Sequence, residues 1–207
     1  MNLKISFIIS FMLPCVLHAQ QTEDSSEKNW SGTLEADYYF VPTDEIHPTI
    51  ICYADHKSLH VEARYNYEDF NTASVFAGRT WEKDGDFSFT VTPMAGIAVG
   101  NTNGIMPGFE CSATYSKLSF YSENEYLFDF TGKENNFFYS WTQVGDTIIK
   151  NMQAGVAAES FRLYKTKFAV QKGIYLEYAL GNFLFDVYHF NPFSKYNYTV
   201  ATVSFQF

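Results

Sequence analysis

From residue 30 onward the chain alternates. Trp30, Gly32, Leu34, Ala36, Tyr38 and Phe40 fall on one parity, and Ser31, Thr33, Glu35 and Asp37 on the other. A period of two marks an extended strand with one apolar and one polar face. The clearest case is residues 59–68, where Leu59, Val61, Ala63, Tyr65 and Tyr67 alternate with His60, Glu62, Arg64, Asn66 and Glu68. No dry core accepts such polar side chains unpaired. The final stretch, residues 196–207, repeats the pattern. Phe207, Phe205, Val203, Ala201 and Thr199 share one face, and Gln206, Ser204, Thr202, Val200 and Tyr198 the other.

The same reading divides the rest of the chain into strands at residues 30–40, 49–55, 59–68, 72–81, 87–99, 105–115, 118–128, 137–144, 148–161, 168–180, 183–190 and 196–207. Turn chemistry separates them. Asp55-His56-Lys57-Ser58, Lys83-Asp84-Gly85-Asp86, Gly145-Asp146 and Gly181-Asn182 read as tight turns, and longer polar loops alternate with these. Pro93 lies inside a strand although proline cannot donate to a ladder, so a bulge is expected there. Lys172 falls on the face of Phe168, Val170 and Ile174, and Gly173 beside it predicts a bulge that turns the lysine inward. The prediction is an all-β fold, a transmembrane antiparallel β-barrel of about twelve strands, with ten to fourteen possible. Strands of roughly eleven residues suit a tilted bilayer crossing. The last strand should pair with residues 183–190 on one side and 30–40 on the other, closing the barrel.

Composition favours the membrane reading over a soluble sandwich or a ligand-carrying soluble barrel. Aromatics make up 19% of the chain, with 21 Phe and 15 Tyr. Nearly every strand has an aromatic-rich face, which water would reject and a lipid-facing belt requires. The N-terminus has Lys4, an apolar run over residues 5–17 and Ala19 before Gln20. That pattern predicts a signal peptide, residues 1–19, cleaved after Ala19. Residues 20–29 then form a short polar periplasmic leader and residues 30–207 the barrel. Cys52 and Cys111 remain after cleavage, and Cys111 shares an apolar face with Phe109 and Ala113, as a free thiol would. The net charge of −9 and the lack of a basic stripe exclude nucleic acid as a partner.

If the apolar faces meet lipid, the polar faces line the lumen. They bring Glu35, Asp37, His60, Glu62, Arg64, Glu110, Glu123, Glu125, Glu159, Glu177 and Asp186 inward, nine carboxylates against one arginine. A water-filled pore so lined would concentrate cations and repel anions. The alternative is that these groups pair with one another inside a narrow, plugged barrel. Catalytic chemistry has little support. A barrel hydrolase needs a nucleophile with a nearby histidine. His47, His56, His60 and His189 are accompanied by no Gly-x-Ser-x-Gly elbow, zinc spacing or phosphate loop. No metal or cofactor is expected.

The terminal strand resembles the closing strand of bacterial outer-membrane barrels, in which a final aromatic, here Phe207, serves as an assembly signal. The phrases EARYNYED (residues 62–69), TPMAGIAVGNTNGIMPG (92–108), YSENEYLFD (121–129), FFYSW (137–141), VQKG (170–173) and FNP (190–192) look like a family of small, porin-like outer-membrane barrels. In size the chain is also similar to small twelve-strand porins, including those for acidic oligosaccharides, without a residue-level match to them. The resemblance covers most of the chain after the leader. It implies the barrel, a Gram-negative outer-membrane location and the barrel-assembly machinery as a partner, and no particular activity. Outer-membrane lipids are the expected surroundings, with lipopolysaccharide phosphates near the basic loop at residues 162–167. The expected function is passive diffusion of small polar solutes, cationic or neutral. The alternatives are a non-conducting barrel that stabilises the membrane or displays loops, and a barrel-embedded hydrolase.

Overall fold

The computed structural model describes residues 30–42 and 48–207. The expected signal peptide and leader lie outside those residues. Thirteen strand segments follow one another: β1 (Ser31–Phe40), β2 (Pro48–His56), β3 (Leu59–Tyr65), β4 (Ala73–Arg79), β5 (Trp81–Lys83), β6 (Phe87–Val99), β7 (Gly104–Tyr115), β8 (Leu118–Asp129), β9 (Phe137–Ile149), β10 (Met152–Leu163), β11 (Ala169–Leu180), β12 (Phe183–Phe190) and β13 (Tyr198–Gln206). Consecutive strands pair antiparallel, and β13 pairs with both β12 and β1, so the sheet closes. The closing register sets Leu34 opposite Phe205 and Phe183 opposite Phe205, the seam expected from the alternation. Past it, Gly32 and Phe207 exchange two backbone hydrogen bonds of 2.9 Å.

The barrel has twelve strands, because β4 and β5 are two stretches of one. Both pair with β6 in a single register, Gly78 opposite Met94 and Trp81 opposite Val91. The gap between them falls at Pro93, which has no N–H to give. The bulge expected there is absent: Pro93 stays in register opposite Phe109 on β7. Two further expectations fail. Gly145-Asp146 is not a turn, since β9 runs on to Ile149 and Gly145 sits opposite Ser119 and Gly155. The two glycines face each other beneath the Tyr175 ring, where a side chain at Gly155 would strike the Val144 carbonyl. Gly145 is there for close packing, and the chain turns only at residues 150–151. Nor does Lys172 turn inward. It keeps register opposite Ala158 and is exposed on the outer face, near the end of the barrel away from the termini.

Outward positions are apolar. Val75, Ile97, Val156 and Ile174 are each half exposed or more, with rings of Phe87, Phe128, Phe183 and Phe205 among them. Such a band is stable in hydrocarbon and not in water. A polar patch within it satisfies itself: Asn124 Nδ2 donates to Ser122 Oγ (2.9 Å), which shares a hydrogen bond with Thr142 (2.9 Å). A polar group facing lipid needs such an internal partner. Cys52 and Cys111 are free thiols, and their ladder partners, Leu34 and Ser122, place both on outward faces.

Inward positions are polar towards the end that carries the termini, and towards the other end buried apolar side chains are mixed with the charges of Arg64, Glu68, Glu125 and Glu159. Phe76, Met94, Ala98, Met106, Leu127 and Phe137 form one buried cluster inside the barrel, and Ala157, Tyr175, Tyr188, Phe190 and Val200 a second. Tight packing of this kind stiffens the barrel from within.

Candidate functional site

Cross-strand register brings the inward carboxylates into rows. Glu110 on β7 lies directly opposite Glu123 on β8, and Glu177 on β11 directly opposite Asp186 on β12. Thr202 links Asp186 to Asp37 across β13, and Ser204 lies opposite Glu35. The hydroxyls of β13 are committed: Thr202 Oγ1 donates to Asp37 Oδ1 (2.6 Å) and Ser204 Oγ to Glu35 Oε2 (2.7 Å).

The second unit is built on Arg64. Its side chain is 1% exposed, and it meets four carboxylates. Nε donates to Glu62 Oε1 (2.7 Å) and Nη2 to Glu62 Oε2 (3.2 Å), a two-pronged pair along β3. Nη1 reaches across the lumen to β8, 2.8 Å from Glu123 Oε1 and 3.0 Å from Glu125 Oε2, and stands 3.7 Å from Glu68. The guanidinium is sandwiched between the rings of Tyr67 and Phe76, each 4.4 Å away. Arginine suits this place because its planar fork satisfies several acceptors while its faces stack. His60 makes a smaller unit: Nδ1 pairs with Asp55 Oδ1 at 2.8 Å, and Nε2 stands 3.6 Å from Glu62.

A cavity of about 670 Å³ occupies the polar half of the lumen. Ser31, Lys57 and Glu82 stand where it meets the end bearing the termini, and Tyr39, Tyr139 and Tyr188 line its deep end. Tyr139 packs on the first apolar cluster, Tyr39 and Trp141 on the second. Of the residues singled out from the sequence, Glu35, Asp37, His60, Glu62, Glu110, Glu123, Glu177 and Asp186 line this cavity. Arg64, Glu125 and Glu159 do not. The first two are spent in the network just described, and Glu159 accepts the Tyr198 hydroxyl. Among the described residues, no three His, Cys, Asp or Glu side chains converge as a metal site would require.

Sequence reasoning missed the aromatic part of the wall. Tyr67 was expected on the lipid face with Tyr65, yet its hydroxyl donates to Glu123 Oε2 (2.8 Å) from inside. The alternation breaks at Asn66, whose φ of 60° is the left-handed conformation that asparagine tolerates. Glu68 follows it inward and accepts from Ser74 Oγ (2.7 Å). Tyr139 and Trp141 also face the lumen. Tyr139 lies directly opposite Glu125 and Trp141 directly opposite Glu123, a register the sequence alone does not specify.

No family model matches the chain, and neither does any curated protein. Solved structures do. One described as "KdgM porin" superposes with a TM-score of 0.63 at 16% identity, covering 84% of this chain and 99% of that one. A second, "KdgM porin in complex with disordered oligogalacturonate", gives 0.64 at 16% identity, with 84% and 99% covered. The fold is therefore the closed twelve-strand antiparallel barrel of small porins.

Proposed function

We propose that the protein is an outer-membrane channel for small polar solutes, with a preference for cations over anions. In this reading residues 1–19 direct export and are removed, residues 20–29 form a periplasmic leader, and Phe207 marks the chain for barrel assembly. The observation that carries it is the cavity. Glu35, Asp37, Glu110, Glu177 and Asp186 line it, and none of the five forms an ion pair with a described residue. Carboxylates on low-dielectric walls focus a negative potential along the path, which raises the local concentration of cations. Oligogalacturonate is a polyanion, and a lumen of this sign would repel it. Any shared ancestry of fold with the KdgM porin therefore does not extend to that solute.

Planar-bilayer recording of the refolded chain tests the reading. A salt gradient should give a reversal potential of the sign for cation selectivity. Glu110→Gln combined with Asp186→Asn should move it towards zero. A silent bilayer removes the channel, and an unchanged reversal potential removes these residues from its path.

A second reading is favoured by one observation: Met106, Leu127 and Phe190, which face the interior, are completely buried at the end away from the termini. A barrel packed shut there would serve as a structural or loop-displaying protein. No conductance at any voltage, with a folded barrel, is its signature. A hydrolase is the weakest reading, because among the described residues no hydroxyl or thiol hydrogen-bonds His60, whose Nδ1 pairs with Asp55.

A further inference from the structure

We propose that the cavity binds linear organic polycations, amines carrying two or more ammonium groups, between two carboxylate pairs: Glu177 with Asp186, and Glu110 with Glu123. The proposal rests on the cation-preferring reading above and names its occupant.

Like charges directly opposite one another on neighbouring strands are destabilising. This barrel has two such pairs on its inner wall. The first has no compensating ion pair among the described residues. Asp186 is only 5% exposed and lines the cavity, yet its Oδ1 has no hydrogen-bond partner. The hydroxyl directly across the ladder, on Thr202, is already given to Asp37, and that of Ser204 further along β13 to Glu35. Glu177 opposite it has no ion-pair partner among the described residues either. In the second pair, Arg64 serves Glu123 together with Glu62 and Glu125 and leaves Glu110 unpaired. A buried carboxylate oxygen without a donor carries a desolvation penalty that a donor arriving from the cavity would relieve.

The chemistry of the wall selects the kind of donor. A bare metal ion wants three or more ligands converging on one point, and the described residues offer no such group. The carboxylates come instead in twos, on separate parts of the wall. Tyr53, Tyr121, Trp141 and Tyr188 line the cavity with them. Aromatic faces attract ammonium groups and accept methylenes, whereas a hydrated inorganic ion gains little from them. An alkyl chain ending in two ammonium groups satisfies both features.

Isothermal titration of the refolded full-length protein in detergent with putrescine tests this, with butylamine as the single-charge analogue. Putrescine should bind about tenfold tighter than butylamine, the difference made by one charge-assisted hydrogen bond. Asp186→Asn and Glu110→Gln should each weaken putrescine by a similar factor, and Glu134→Gln in an exposed loop should leave it unchanged. Equal affinity for the two amines in the unaltered protein overturns the proposal without recourse to variants, as does absence of binding. Cation-selective conductance with no putrescine binding overturns this inference and leaves the channel standing. Binding with the expected variant pattern but a silent bilayer removes the channel and supports the site.

Discussion

Arg64→Met is the sharpest perturbation of the interior. Methionine keeps most of the stem that packs between Tyr67 and Phe76, and removes the charge that holds Glu62, Glu123 and Glu125 together. Breaking a buried ion pair by deleting one partner costs about 3–5 kcal/mol, chiefly because the other charge is left buried. Here the remaining charges also repel. Glu123 Oε1 and Glu125 Oε2 lie 2.8 and 3.0 Å from the same nitrogen, so they stand within about 6 Å of each other. At an effective dielectric constant of roughly 20, that repulsion is about 3 kcal/mol. The variant should therefore unfold in urea with a loss at the upper end of the range, about 5 kcal/mol. Urea titration of the barrel refolded into lipid vesicles, followed by tryptophan fluorescence, measures it. Adding Glu123→Gln discriminates. In the parent that change breaks a pair and should destabilise; on top of Arg64→Met it removes repulsion and should restore about 2–3 kcal/mol. If Glu123→Gln destabilises both backgrounds equally, the charges do not interact as described.

Two further changes probe the wall itself. Gly155→Val places a branched side chain against the Val144 carbonyl, Gly145 and the Tyr175 ring, where even a Cβ would lie 2.0 Å from that carbonyl oxygen. It should cost about 3 kcal/mol or prevent refolding, read in the same titration, and a variant of parental stability would show that the glycine pair is not tightly packed. Asn124→Leu replaces an outward amide by a side chain hydrocarbon prefers, at the loss of one hydrogen bond to Ser122. Its stability in lipid vesicles should equal or exceed the parent's by up to about 1 kcal/mol, and a loss greater than that would place this face against protein or water.

The barrel was legible because alternation with one fixed period is imposed by the bilayer on every strand. Register then followed wherever both neighbours showed the pattern, as at the β1–β13–β12 seam. Errors arose where a residue type has two uses. Gly145-Asp146 has turn chemistry, but a glycine also lets two strands and a ring approach closely, and Tyr175 decides which applies. Pro93 signals a disrupted ladder, yet the disruption fell on its partner strand, at the gap between β4 and β5. Asn66 adopts a positive φ that breaks the alternation, and so Tyr67 enters the lumen against the pattern while Glu68 enters it with the pattern. Tyr139 and Trp141 show the limit of reading rings as lipid-facing. A barrel with apolar clusters inside needs aromatics on both faces, and only cross-strand partners such as Glu125 and Glu123 tell them apart.

The inward charges also separate into two populations that composition alone does not distinguish. Glu62, Glu68, Glu123 and Glu125 surround one arginine and tie β3 to β8 across the interior, so changing them alters the barrel's shape as well as its field. Glu110, Glu177 and Asp186 hold no strands together, because no described residue forms an ion pair with them. Their cost to folding has no return within the chain. A group that destabilises its own wall and faces a cavity is placed for something that enters from outside. Selectivity should therefore respond to the second set with stability unchanged or improved. Changes in the first set should move both together.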